Sequence, residues 1–322
     1  MFYKANRDEQ YMQKLTSFLL DNYNITGCKI TEAKRGFFGE TWKIHSLHVD
    51  YFVKIDYWDY HKEIYQRSFY IIDYITQSGI NHILKILKTQ NGELYTVFND
   101  GVLGMFEFVE GENIEDYPIE RLFEKLVPIY KLPTNGLTIE NETFDTGVVS
   151  KYKKLLQAFD CTNTKSSKQV LMLLNNKTEL IERFGQRLKL FSERCKDDLS
   201  GFCITHGDAG GNCIISDDNF VIVDWDYPKL APIERDAWFF MWSEDQIKII
   251  NDVLKQNNIN CMLNSDRFCF YCYYSFFYYL TEYIQAYFCL NSEIERIKIS
   301  YSLGSYFNSW ILTQLNVADM IL

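Results

Sequence analysis

The sequence has no apolar stretch of the roughly 20 residues needed to cross a bilayer. Its longest aromatic run, Phe268 to Leu280, is followed at once by Thr281 and Glu282, which predicts a buried helix and no membrane partner. Nor does it open with the apolar core and small-residue cleavage site of an export signal, because Met1-Phe2-Tyr3-Lys4-Ala5-Asn6-Arg7-Asp8 turns polar immediately. A cytoplasmic protein is the expectation. Positive charge is in deficit: 33 Lys and Arg face 43 Asp and Glu, a net charge of -10. That balance argues against nucleic acid or an anionic membrane as partner and suits a cationic small molecule. There is no internal repeat and no low-complexity tract.

Nine scattered cysteines, an odd number without an export signal, predict reduced thiols rather than a disulfide framework. The pair Cys269-x-x-Cys272 has no second pair and no nearby histidine to complete a zinc set, so both read as small core residues. What the chain does have is 47% hydrophobic and 24% charged residues over 322 positions, with an aromatic share of 16%. This is a globular composition, at a length that predicts two lobes or one domain with a large helical extension.

The segments Cys28 to Thr31, Thr41 to Ile44 and Tyr51 to Ile55 alternate and are rich in β-branched and aromatic residues, which predicts three successive antiparallel strands. Between the first two, Gly36 and Gly39 permit a tight turn and a close backbone approach to a ligand. Helical spacing of Ile64, Ile71, Ile72 and Ile75 predicts a helix from His61 to Gln77, closed by Ser78-Gly79. Ile83 to Lys88, Leu94 to Phe98 and Val102 to Phe108 read as further strands. Past Gly111 the pattern is helical, through Ile119 to Tyr130, Val149 to Phe159, Lys168 to Leu174 and Lys177 to Cys195. The predicted fold class is α+β: a small antiparallel sheet with one inserted helix over residues 1–108, and a larger, mainly helical part over 109–322. Residues 106–111 join them.

Chemistry concentrates in Ile204 to Asp226. Two apolar strands, Cys213 to Ser216 and Phe220 to Val223, flank the polar turn Asp217-Asp218-Asn219 and predict a hairpin. Its open ends carry Asn212 and Asp224, equally distant from Asp218. A hard cation such as Mg2+ needs converging oxygens, and an amide carbonyl beside a carboxylate supplies them. Asp208, on a loop loosened by Gly207, Gly210 and Gly211, is placed to accept the proton of a substrate hydroxyl. Singly, Asp and Asn beside glycines usually cap turns. Jointly, downstream of a strand lysine, they point to metal-assisted group transfer.

This set resembles the aminoglycoside phosphotransferase family of the protein-kinase-like superfamily, and the resemblance covers nearly the whole chain. It implies an ATP-dependent O-phosphotransferase acting on a small-molecule hydroxyl, with Mg2+ as the metal and GTP as the alternative donor. Asp208 then matches the catalytic base, Asn212 and Asp224 the metal ligands, and Lys54 the lysine that grips the nucleotide phosphates. Gly36 and Gly39 match the nucleotide loop, and the backbone at Glu107 to Val109 the adenine-binding hinge. The run Leu230-Ala231-Pro232-Ile233-Glu234-Arg235-Asp236 is similar to the branch that includes spectinomycin phosphotransferase. That branch implies an aminoglycoside or aminocyclitol acceptor, antibiotic resistance as the setting, and Asp236 as a structural anchor.

Two departures stand out. Asn212 follows Asp208 by four residues, where the family places five, and should this displace Asn212, Asp226 could assist, because strand periodicity puts it on the face of Asp224. The helix glutamate that pairs with the strand lysine has no clear equivalent: alignment on Gly79 puts Ser68 there, and Glu63 is the nearest acidic candidate. His206 reads as scaffold, since phosphoryl transfer needs positioning and charge neutralisation rather than a second base. Asp236, Glu282, Glu293 and Glu295 are acidic candidates to receive an amino sugar. The same fold also serves choline, amino-alcohol and sugar kinases, and a catalytically silent nucleotide-binding protein is the reading from another class. Oligomeric state stays open.

Overall fold

A computed structural model describes residues 7–33, 39–47, 49–114, 116–159, 162–216 and 219–321. By packing, the chain divides into two compact units, one of residues 1–140 with 203–230, the other of 141–202 with 231–322.

The first unit is built on a five-stranded antiparallel sheet in the order β1-β2-β3-β5-β4, with β1 Lys29–Glu32, β2 Glu40–His45, β3 Tyr51–Asp56, β4 Thr96–Phe98 and β5 Gly101–Glu107. β3 lies at its centre, pairing Lys54 with Thr41 on β2 and with Gly104 on β5. Alternation along β3 sends its side chains to opposite faces. Val53 and Ile55 pack, fully buried, with Ile44, Leu103 and Met105 against Leu15 and Leu19 of the helix α1, Glu9–Tyr23. Each such side chain contributes about 1.5–3 kcal/mol by leaving water. Asp8 caps α1 through Tyr11 N at 2.8 Å, and Asn24 closes it in the left-handed conformation, φ 56°.

The opposite alternation carries Lys54 and Gly104. Over them lies α2, Asp59–Gln77, the inserted helix expected from the isoleucine spacing. A Cβ at Gly104 would stand 2.4 Å from the Phe69 ring, so the absent side chain is what lets α2 sit against the sheet. Ile83 to Lys88, expected as a strand, is not a continuous one. Ile83 bridges to Ile222 in parallel and Ile86 to Phe106 antiparallel, so the segment divides its hydrogen bonds between two partners and no ladder propagates. The turn of the downstream hairpin is closed by Ser216 N–H donating to Asn219 O at 3.0 Å. Asp217 and Asp218 lie outside the described residues.

In the second unit the helix Ser265–Cys289 is the axis. Thr178–Lys196, Gly147–Ala158, Glu293–Tyr306 and Trp310–Met320 pack on it. Phe268, Phe270, Phe276 and Phe277 are fully buried, as the aromatic run predicted. Cys269 and Cys272 are buried too, burial pushing the Cys269 thiol up to about 12 and Cys272 upward as well. Such thiols stay protonated, as core residues do. Among the described residues no disulfide joins the cysteines, and no helix is long and apolar enough to cross a membrane.

Candidate active site

The site residues all lie in the first unit and begin at His206. Its ring, 3% exposed, accepts the Asp208 backbone N–H at Nδ1 over 3.1 Å. The proton therefore sits on Nε2, which donates to the Val223 carbonyl at 2.8 Å. One imidazole thus ties the Asp208 loop to the far strand of the hairpin, and both nitrogens are committed to backbone. Gly207, at φ 89°, makes the left-handed turn that lets Asp208 follow. The Asp208 side chain itself is exposed.

Asn212 closes the loop. Its side-chain amide nitrogen donates to the Asp208 backbone carbonyl at 2.7 Å and lies 3.3 Å from the Asp208 carboxylate, while its backbone carbonyl accepts Val223 N–H at 2.8 Å. The hairpin register pairs Ile222 with Cys213, so Asn212 stands opposite Val223 and not, as the symmetric turn suggested, opposite Asp224. The turn is one residue shorter than that symmetry required. The loop is anchored again from outside by Tyr117, which donates to Gly210 O at 2.7 Å, and by Asn113, which donates to Gly211 O at 3.1 Å. Neither was marked by the sequence, since an isolated Tyr or Asn carries no pattern.

Past the hairpin the chain leaves the ladder. Asp224 takes φ 65°, a strained backbone for a residue with a side chain, and Asp226 N–H donates back to Asp224 O at 2.8 Å. Trp225 between them is 2% exposed, its ring 4.6 Å from that of His206, so the core holds the middle of the triplet while both carboxylates emerge. They meet Lys54: its Nζ lies 2.6 Å from Asp224 Oδ1 and also contacts Asp226 Oδ2. Burial and then the Asp224 charge push the Asp226 carboxyl up, whereas for Asp224 burial is outweighed by the Lys54 ammonium and its carboxyl stays low. Lys54 is held well above its ordinary value, its burial overcome by the two carboxylates.

The structure brings Lys54, Asp224 and Asp226 together, and separately joins Asp208 to Asn212. It does not bring Glu63 to Lys54. Glu63 is 84% exposed and lies 4.0 Å from Arg67 one turn on. The helix residue over Lys54 is Tyr65, whose ring centroid is 5.3 Å from Nζ. Gly36 lies outside the described residues. At Gly39 a Cβ would stand 2.4 Å from the Ile55 carbonyl, a close approach only glycine allows. Glu107 donates its N–H to Lys85 O at 3.0 Å and pairs its carboxylate with Lys85 at 2.6 Å, and the half-buried Val109 follows two residues on. Of the acidic candidates in the second unit, Glu282 is buried against Lys151 at 3.4 Å, and Glu293 accepts from Ser166 N at 2.8 Å at the start of Lys165–Asn175. Both are engaged in structure.

The donor set fits a hard cation. Asp224 and Asp226 present carboxylates 46% and 44% exposed, and Asn212, whose side-chain nitrogen is occupied, has its side-chain Oδ1 for a ligand. Among the described residues no three His, Cys, Asp or Glu side chains form a cage. An ion here would complete its shell with phosphate and water, as Mg2+ commonly does.

No family model and no curated protein matches the sequence. Solved structures do match it. Spectinomycin phosphotransferase, crystallised with ADP and spectinomycin, is 18% identical, covers 95% of this chain and 98% of its own, and superposes with a TM-score of 0.74. A microcompartment-associated aminopropanol kinase is 11% identical, with 97% of each chain covered and a TM-score of 0.62. Choline kinase from Streptococcus pneumoniae is 13% identical over 94% of this chain and 99% of its own, with a TM-score of 0.53. The chain has the protein-kinase-like fold that these phosphotransferases and kinases share.

Proposed function

We propose that the protein transfers the terminal phosphoryl group of ATP to a hydroxyl of a small molecule. The observation that carries this reading is the Lys54 ammonium, set 2.6 Å from Asp224 just past the hairpin strand to which His206 ties the Asp208 loop. On this reading Lys54 leaves its carboxylates in part to grip phosphate, and Asp208 orients the acceptor hydroxyl and takes its proton. Gly36, Gly39 and the backbone at Glu107 to Val109 hold the nucleotide, with residues 1–108 as the nucleotide part and 109–322 as the catalytic and acceptor part. Asp224 and Asn212, with Asp226 adjacent, would hold Mg2+, which when bound neutralises charge on the phosphates.

The acceptor is an amino-bearing alcohol. Support comes from the net charge of -10 and from neighbours named for spectinomycin, aminopropanol and choline. Spectinomycin or a related aminocyclitol is the first choice, because that neighbour superposes at a TM-score of 0.74. Coupled ADP release over a panel of spectinomycin, aminoglycosides, choline and aminopropanol tests it. Acceptor-dependent turnover on one class is expected, and none on any of them would defeat the reading.

A further inference from the structure

Tyr65 is 3% exposed, yet its hydroxyl has no hydrogen-bond partner among the described residues. Burying a hydroxyl without a partner is costly, so a phenol kept in such a place has a use that the resting arrangement leaves unfilled. Its surroundings identify that use. Tyr65 lies on the face of α2 that covers Lys54, with the ammonium 5.3 Å from the ring centroid. Phe69, one turn further along, fixes the ring from the side at 4.6 Å between centroids. The ammonium under the ring is the one that Asp224 and Asp226 share. Burial, against the pull of Lys54, pushes the phenol well above its ordinary value, so it remains a neutral donor.

We propose that Tyr65 is the positioning residue for Lys54: its ring backs the ammonium, and its hydroxyl becomes the donor to Asp226 when nucleotide phosphate draws the ammonium away. This rests on the phosphotransferase reading of the site. In the resting state Lys54 serves Asp224 and Asp226 at once. A phosphate that takes up part of its charge leaves Asp226 short of a donor, in a place where desolvation is already costly. A buried O–H on the residue that covers the ammonium, with no partner of its own, makes up the shortfall, because a hydrogen bond to a charged group is stronger than one between neutral groups. A helix carboxylate would hold the lysine by charge. A tyrosine holds it by its π face, without adding a third negative charge to the pair already there.

The test is calorimetric binding of the magnesium complex of a non-hydrolysable ATP analogue to wild type, Tyr65→Phe, Lys54→Met and the double variant, with Tm measured for each. Tyr65→Phe is expected to bind about tenfold more weakly than wild type while its Tm is equal or higher, because an unpartnered buried hydroxyl has been removed. In the Lys54→Met background the same change should cost nothing further, since the effect runs through the lysine. Unchanged affinity in Tyr65→Phe, a loss matched by a fall in Tm, or an equal loss with and without Lys54 would each overturn the role of Tyr65 and leave the phosphotransferase reading standing. Wild type that binds no nucleotide would overturn both.

Discussion

Lys54 Nζ lies 2.6 Å from Asp224, although 170 residues separate them in the chain. Replacing Lys54 by Met leaves Asp224 and Asp226 side by side without their counter-charge. Removing one partner of a fully buried pair costs about 3–5 kcal/mol, but carboxylates 46% and 44% exposed are partly served by water, so a loss of about 1–2 kcal/mol is expected. Urea unfolding measures it, and calorimetry should show magnesium-nucleotide affinity falling at least tenfold alongside.

His206 should behave as scaffold rather than as an acid or base. Both ring nitrogens are engaged with backbone, at 3.1 and 2.8 Å. His206→Ala removes two hydrogen bonds and the packing on Trp225, and a loss of about 2–4 kcal/mol is expected. The turnover of the fraction that remains folded should show no lost pKa near neutrality when its pH profile is compared with wild type.

Gly104→Ala tests the seating of α2. The added methyl would stand 2.4 Å from the Phe69 ring, and overpacking of that kind costs about 1–3 kcal/mol. Phe69→Leu in the same chain should recover part of the loss by making room, which a denaturation midpoint for each variant will show.

Much of this arrangement was legible because it follows from periodicity. Alternation named the sheet strands, isoleucine spacing named α2, and two apolar runs about a polar turn named the hairpin. The register of that hairpin was not legible, since a turn one residue shorter leaves the same apolar pattern and only the hydrogen bond from Val223 to Asn212 fixes it. Asp224 and Asp226 do share a face, but a left-handed residue after the strand puts them there, not strand periodicity. Helix α1 has a signal in the sequence as well: Asp8 as a cap, then Tyr11, Leu15 and Leu19 at four-residue spacing. Tyr65 carried none, because nothing in a sequence marks a phenol that will be buried without a partner.

His82 gives stability a pH dependence. Its Nε2–H donates to the Lys125 carbonyl at 2.6 Å, and its own carbonyl receives Ile222 N–H at 2.9 Å. Burial, and then the Lys125 charge, hold the ring below its ordinary 6.5 against that hydrogen bond. Above about 6.5 the ring is neutral in both states and its contribution is complete. As pH falls below that value the unfolded chain takes up a proton first, so stability drops until the folded ring also titrates. Urea midpoints between pH 7.5 and 5 should fall less steeply for His82→Gln than for wild type.

The central claim is that Asp208 serves a phosphoryl transfer from nucleotide to an alcohol. Acceptor-dependent ADP release by Asp208→Asn, measured beside wild type on the best acceptor of the panel with nucleotide affinity taken in parallel, tests it most directly. Turnover should fall about 100-fold to 10,000-fold with affinity for the magnesium-nucleotide within a few-fold of wild type. A variant that turns over as fast as wild type would contradict the account.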